Sequence, residues 1–161
     1  MHLMGAVKNL VEIYQQRVGS EVHVGEWLTV EQGRIDAFAA ATGDRQWIHT
    51  DPARAATESP YQSTIAHGFL TLSLLPFLTE SNAPGMFEKN YPGMRLRVNY
   101  GLEKVRFPAP VITGSRVRAR TVVTGVEEVT GGVQIAYRIT VEIEGGEKPA
   151  CVAEQLFRLY P

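Results

Sequence analysis

Residues 67–78 read His67-Gly68-Phe69-Leu70-Thr71-Leu72-Ser73-Leu74-Leu75-Pro76-Phe77-Leu78. Phe69, Leu70, Leu72, Leu74, Leu75, Phe77 and Leu78 cover every side of a helical wheel, so a helix here must be enclosed by protein all round. Pro76 has no N–H to donate and kinks or shortens its end. An enclosed helix needs a partner layer, which the last third of the chain supplies. Val133, Ile135, Tyr137, Ile139, Val141 and Ile143 alternate with Gln134, Arg138, Thr140 and Glu142, the period of a half-buried strand. Gly131-Gly132 and Gly145-Gly146 bracket it as hairpin turns. Upstream, Val117, Ala119, Thr121 and Val123 alternate with Arg116, Arg118 and Arg120; downstream, a strand runs roughly from Ala150 to Leu159. Leu96, Val98, Tyr100 and Leu102 share one face while Val105 and Phe107 fall on the other, which predicts a bulge between Gly101 and Lys104. The expected class is α+β, an antiparallel sheet curled around one long, very apolar central helix.

Before residue 80 the signals are helical. Val7, Leu10, Val11 and Tyr14 have helical spacing, predicting a short amphipathic helix over about 1–16 and a turn at Gly19; Val22 to Val24 read as a short strand. Thr29 with Gln32 has the capping-box pattern, so a helix bearing Ile35, Phe38 and Ala39 is expected from near Val30, with Gly43 ending it. Asp51-Pro52 opens a short helix through Arg54 and Ala56. The stretch from Thr79 to Met94, with Pro84, Gly85, Pro92 and Gly93, is either a lid or tunnel wall or a plain surface loop.

The chain has 161 residues, 44% hydrophobic and 20% charged, which predicts one globular domain over 1–161 and excludes disorder, collagen and coiled coil. Lys and Arg total 16 against 17 Asp and Glu, so no global positive field exists to hold nucleic acid or an anionic membrane, and neither is an expected partner. The uncharged stretch Ser59 to Thr79 contains His67, Pro60 and Pro76, unlike a membrane span. Residues Met1 to Gln16 lack a cationic region leading into an apolar one, so the cytoplasm is the expected compartment. Cys151 stands alone, with no internal disulfide or CxxC knuckle to join, and reads as a small buried strand residue.

No GxGxxG, P-loop, GxSxG or HExxH motif occurs. What remains is the run Thr42-Gly43-Asp44-Arg45-Gln46-Trp47-Ile48-His49-Thr50-Asp51-Pro52. Asp44 follows a helix stop and His49 precedes a helix cap, so a short connection pinned at both ends carries a carboxylate and an imidazole. Such a pair suits water activation or proton transfer; the alternative is a turn aspartate and an ordinary loop histidine. A metal reading with Asp44, His49 and Asp51 finds no further His or Cys grouped with them. Trp47 and Ile48 read as a hydrophobic plug and Arg45 as a solvated charge. At the start of the apolar helix, free N–H groups at Gly68 would favour developing negative charge, or the glycine simply allows tight packing; His67 reads as structural.

Three ordered motifs resemble the MaoC-like hydratase and dehydratase family of hotdog-fold proteins: Phe38-x3-Thr42-Gly43-Asp44-x4-His49-x-Asp51-Pro52, Ala66-His67-Gly68-Phe69-Leu70, and Val105-Arg106-Phe107-Pro108-Ala109-Pro110-Val111. The wording around Gln46-Trp47-Ile48-His49 and Tyr100-Gly101 is similar to its nodulation-protein-N-like branch. The resemblance implies a homodimer or dimer of dimers and hydration of trans-2-enoyl thioesters of coenzyme A to (R)-3-hydroxyacyl thioesters. It implies Asp44 and His49 as the catalytic pair on one water and the Gly68 N–H as oxyanion donor. The expected cofactor is none beyond coenzyme A as part of the substrate, and no metal. Lys104 and Arg106, beside the bulge, together with Tyr100 and Gly101, are the expected substrate-binding residues; Arg116, Arg118 and Arg120 are either a further basic patch or a solvated strand face. Gln46 and Trp47 stand where the family's hydratases usually carry Asn and Pro, and Pro76 replaces a frequent serine. A hotdog acyl-CoA thioesterase and a non-catalytic acyl-CoA-binding protein are the alternatives.

Overall fold

In the computed structural model, which describes residues 2–161, the alternating stretches form β4 (Arg116–Val129), β5 (Gly132–Ile143) and β6 (Cys151–Tyr160). Each turns every second side chain into the core, where Val117, Val123, Ile135, Val141 and Leu159 are fully buried. Val129 pairs with Gly132, so the β4–β5 turn is Thr130-Gly131, with Gly131 left-handed at φ +75°. Gly132 is therefore a strand residue rather than part of the turn; a Cβ there would collide with the Leu159 carbonyl. The β5–β6 connection, residues 144–150, is longer than the expected tight hairpin. Cys151 is buried as expected, and burial pushes its thiol up to about 11.

With β1 (Glu21–Val24), β2 (Leu28–Thr29) and β3 (Leu96–Arg106), these strands make one antiparallel sheet in the order β1-β4-β5-β6-β3, β2 also pairing with β4. Among the described residues β3 pairs with β6 alone, leaving its other edge open. The expected bulge is two irregularities instead of one. Register slips between Asn99 and Gly101 and again between Glu103 and Arg106, while Leu102 and Glu103 stay paired. The second slip carries Lys104 at φ +52°, and beyond it Val105 packs against the core as Leu102 does.

Seven helices accompany the sheet among the described residues: α1 (His2–Gln15), α2 (Gln32–Thr42), α3 (Trp47–Thr50), α4 (Pro52–Glu58), α5 (Gly68–Ser73), α6 (Leu75–Leu78) and α7 (Met86–Asn90). α1 buries Val7, Leu10 and Tyr14, as their spacing predicts. α2 begins at Gln32 with Glu31 as its cap, and no side chain caps it. The capping box fails because Gln32 turns inward to other partners. Gly43 ends α2 in the left-handed region at φ +81°, and Asp51 caps α4 by accepting from the Arg54 N–H. The segment after α6 forms α7 and buries Tyr91 and Met94, so it closes one end of the core.

The sheet wraps α5 and α6 in the hotdog arrangement, with Leu70, Leu74, Leu75 and Leu78 in the common core. Two expectations for this helix need correction. It is broken at Leu74, and Pro76 lies in the first turn of α6, where its missing N–H costs little. It is also not enclosed all round, since Phe69 is 69% and Phe77 60% exposed.

Candidate active site

Gly43 reverses the chain after α2, so Asp44 starts the connection that ends on α3, the one turn bearing His49. His49 is buried, and its Nδ1 lies 2.7 Å from the Ile65 carbonyl oxygen. A carbonyl only accepts, so Nδ1 carries the proton and neutral His49 keeps Nε2 as a free base. His67 Nε2 likewise donates to the Asp44 carbonyl, at 2.9 Å, tying the Asp44 loop to the start of α5. The two imidazoles stack with centroids 3.8 Å apart, and Phe38 packs 5.0 Å from the His67 ring.

Asp44, His49 and His67 offer ligand atoms within 4.8 Å of one another, so these are the residues that could hold a metal; Asp51, spent as the cap of α4, is not in the group. Stacking sets the two ring planes side by side with 27° between them, whereas an ion shared by two imidazoles lies in the plane of each. One water between the Asp44 carboxylate and His49 fits this spacing without that demand. Asp44 is exposed, and among the described residues its carboxylate receives only a long 3.4 Å contact from the Gln46 N–H.

His49 and Gly68 line one cavity of about 320 Å³ with Tyr61, Thr71, Phe107 and Val111. Gly68 opens α5, and the first N–H groups of a helix have no partner within it. A Cβ on Gly68 would lie 3.0 Å from the Phe107 ring, so the glycine lets that ring lie against the backbone.

Sequence reasoning missed the clamp behind His49. Gln32 Nε2 donates to the His49 carbonyl at 2.7 Å, and its Oε1 accepts from Thr64 and Thr113. Gln32 carried a signal, but one that read equally well as a helix cap. Gln32→Ala strips partners from groups that are part-buried and is expected to cost about 1–3 kcal/mol of stability, measurable by urea unfolding.

The four residues assigned to substrate binding do not line this cavity. Lys104 reaches Glu154 at 3.3 Å, Arg106 donates to the Val105 carbonyl, Tyr100 lies 3.4 Å beneath the Arg158 guanidinium, and Gly101 pairs with Leu156. All four stand on the open edge strand. The suspected basic patch is neutralised: Arg116 pairs with Glu144, Arg118 with Glu142, and Arg120 with Glu142 and Glu21. Trp47 is half-buried and carries the Arg54 guanidinium 4.4 Å above its ring.

The MaoC like domain model matches residues 14–144, most of the chain and all three motifs. The chain belongs to the MaoC-like dehydratase family. It is 52% identical over 141 residues to the 3-hydroxyacyl-thioester dehydratase Z of Mycobacterium tuberculosis, covering 87% of this chain and 89% of that one. It is 48% identical over 138 residues to Nodulation protein N of Rhizobium leguminosarum bv. viciae, covering 85% and 83%. Among solved structures, the (R)-hydratase from A. caviae superposes with a TM-score of 0.61 at 28% identity, over 87% of this chain and 98% of that one. This MaoC-like protein is accordingly a hydro-lyase of the hotdog fold. No described helix is long and apolar enough to cross a membrane.

Proposed function

We propose that the protein reversibly hydrates trans-2-enoyl thioesters of coenzyme A to (R)-3-hydroxyacyl thioesters. The observation that carries this reading is the grouping of Asp44 and His49, whose ligand atoms lie within 4.8 Å, with Nδ1 of His49 held by the Ile65 carbonyl and with His49 lining one cavity beside Gly68 at the start of α5. Hydration places the water oxygen on C3 and a proton on C2, while charge gathers on the thioester oxygen as an enolate develops. Asp44 and His49, on one water, take its proton and return one to C2 on the same face of the double bond. The Gly68 N–H donates to the enolate oxygen at the positive end of α5. Every atom added comes from that one water, so the step needs neither a redox cofactor nor a metal. The relative named as a 3-hydroxyacyl-thioester dehydratase and the solved (R)-hydratase are similar in sequence and fold, which supports this direction of chemistry.

Absorbance of a crotonyl thioester provides the test. Loss of the enoyl chromophore without free thiol is the expected result; free thiol would instead mean a thioesterase, and binding with neither change a non-catalytic protein.

The active form in this proposal is a homodimer. Phe69 and Phe77 on the bared side of the central helix, and Leu96, Val98 and Tyr100 on the open edge of β3, are large apolar groups left in water by one chain. A second copy paired along β3 would cover them and bring Lys104 and Arg106 of each chain toward the other's cavity mouth. Light scattering should give twice the chain mass at micromolar concentration and a shift toward monomer in a Phe69→Glu, Phe77→Glu double variant. A monomeric wild-type protein overturns it.

A further inference from the structure

A second cavity, of about 290 Å³, lies on the same face of the sheet at the other end of the central helix. Thr79 at its rim follows Gly68 by eleven residues, across α5 and α6. The two cavities share no lining residue. Leu74 on the helix, and Cys151 and Ala153 on β6, come between their linings and are buried core.

The floor of this second cavity has polar groups that the fold does not use. Thr121 is 6% exposed, and its hydroxyl has no hydrogen-bond partner among the described residues. Tyr137 donates to the Tyr14 hydroxyl at 3.1 Å and meets the Tyr91 hydroxyl at 3.0 Å. A chain of three hydroxyls owns three protons but only two internal links, so one donor is left over. Burial raises Tyr14 and Tyr137 well above the usual tyrosine range, so they remain donors. Val22, Ile139 and Phe157 supply apolar wall. At the mouth stand Arg17 and Lys89; neither is in an ion pair among the described residues, and no carboxylate lines the cavity. Glu80, beside the rim, is turned to His23, 3.0 Å from its Nε2 but off the hydrogen-bonding angle.

We propose that this cavity is a second small-molecule site, for a monocarboxylate whose apolar body carries an oxygen function at its far end. The carboxylate sits between Arg17 and Lys89, where it stays in contact with water. The body packs on Ile139 and Phe157, and the far oxygen meets Thr121 and the spare tyrosine donor. Its volume is at the small end of ligand pockets, which limits the occupant to one ring or a short chain. The proposal stands apart from the hydratase reading, because none of its residues belongs to the Asp44–His49 site.

The probe is 3-(4-hydroxyphenyl)propionate, titrated calorimetrically into the full chain with and without excess butyryl-coenzyme A, a saturated thioester that cannot be hydrated. Saturable one-to-one binding that persists in the presence of the thioester is expected. Removing the phenol, as in 3-phenylpropionate, should weaken binding about five- to tenfold, and Thr121→Val should weaken the phenolic probe by a similar factor. That variant keeps its fold, since it discards an unpartnered buried hydroxyl, and its melting temperature should not fall. An Arg17→Ala, Lys89→Ala double variant should weaken both ligands alike. No saturable heat up to about 10 mM, equal affinity for the two ligands together with indifference to Thr121→Val, or displacement by the thioester would each overturn the proposal.

Discussion

Asp44→Asn and His49→Gln are each expected to slow hydration of a crotonyl thioester by about 10²–10⁴-fold, with melting temperatures close to that of the parent protein. The geometry separates this outcome from a purely structural role. The Asp44 carboxylate is exposed and receives only one long contact among the described residues, so converting it to an amide removes almost no folding energy. What holds the loop is its backbone carbonyl, bonded to His67, which the substitution leaves in place. In His49→Gln an amide N–H can still meet the Ile65 carbonyl, while the basic Nε2 is gone. Because both groups act on one water, the double variant should be little worse than the poorer single one. A thioesterase would depend on the carboxylate far more than on the imidazole. Wild-type rates in folded His49→Gln would end the hydratase mechanism.

Gly68→Pro should lower kcat by about 10²–10³ with a much smaller change in KM, the usual scale for losing one oxyanion donor. Gly68 is at the first helical position, where proline is accepted, and its φ is not among the left-handed ones. The side effect is steric, since any Cβ meets the Phe107 ring. Gly68→Ala meets the same ring but keeps the N–H, so the difference between the two variants isolates the donor. Equal activities for Ala and Pro, both folded by circular dichroism, would remove the N–H from the mechanism.

The sheet was legible because each of its inner strands obeys a period of two that nothing else in the chain competes with. Val133 to Ile143 could hardly be read otherwise, and its inward residues are those that alternation selects. The central helix was legible as a helix but not in its surroundings. All-round apolarity says that a helix is apolar on every side, not that its own chain covers every side, and Phe69 and Phe77 are where that difference shows. Asp44 and His49 were found because both sit on one short connection with a helix signal at either end. Gln32, Thr64 and Thr113 escaped because their contact is made across as many as 81 positions of sequence, a separation for which local pattern has no signal. The placing of Lys104 and Arg106 at a substrate mouth rested on charge near a bulge, and within one chain that logic stops at the sheet's open edge.

Synthesis order adds a constraint of its own. The meander β4-β5-β6 pairs neighbours in sequence, yet β1 must wait for β4, its Glu21 pairing with Val122, and β3 must wait for β6, its Leu96 pairing with Tyr160. The loop bearing Asp44 and His49 and the apolar central helix therefore emerge from the ribosome before β3 to β6, the long strands of the sheet. At ordinary elongation rates that interval lasts on the order of seconds, far longer than hydrophobic collapse takes. The nascent chain thus passes through a stage in which its most aggregation-prone segment is complete and uncovered. Folding yield in the cell should respond to chaperone supply and translation speed more than the stability of the finished protein would suggest.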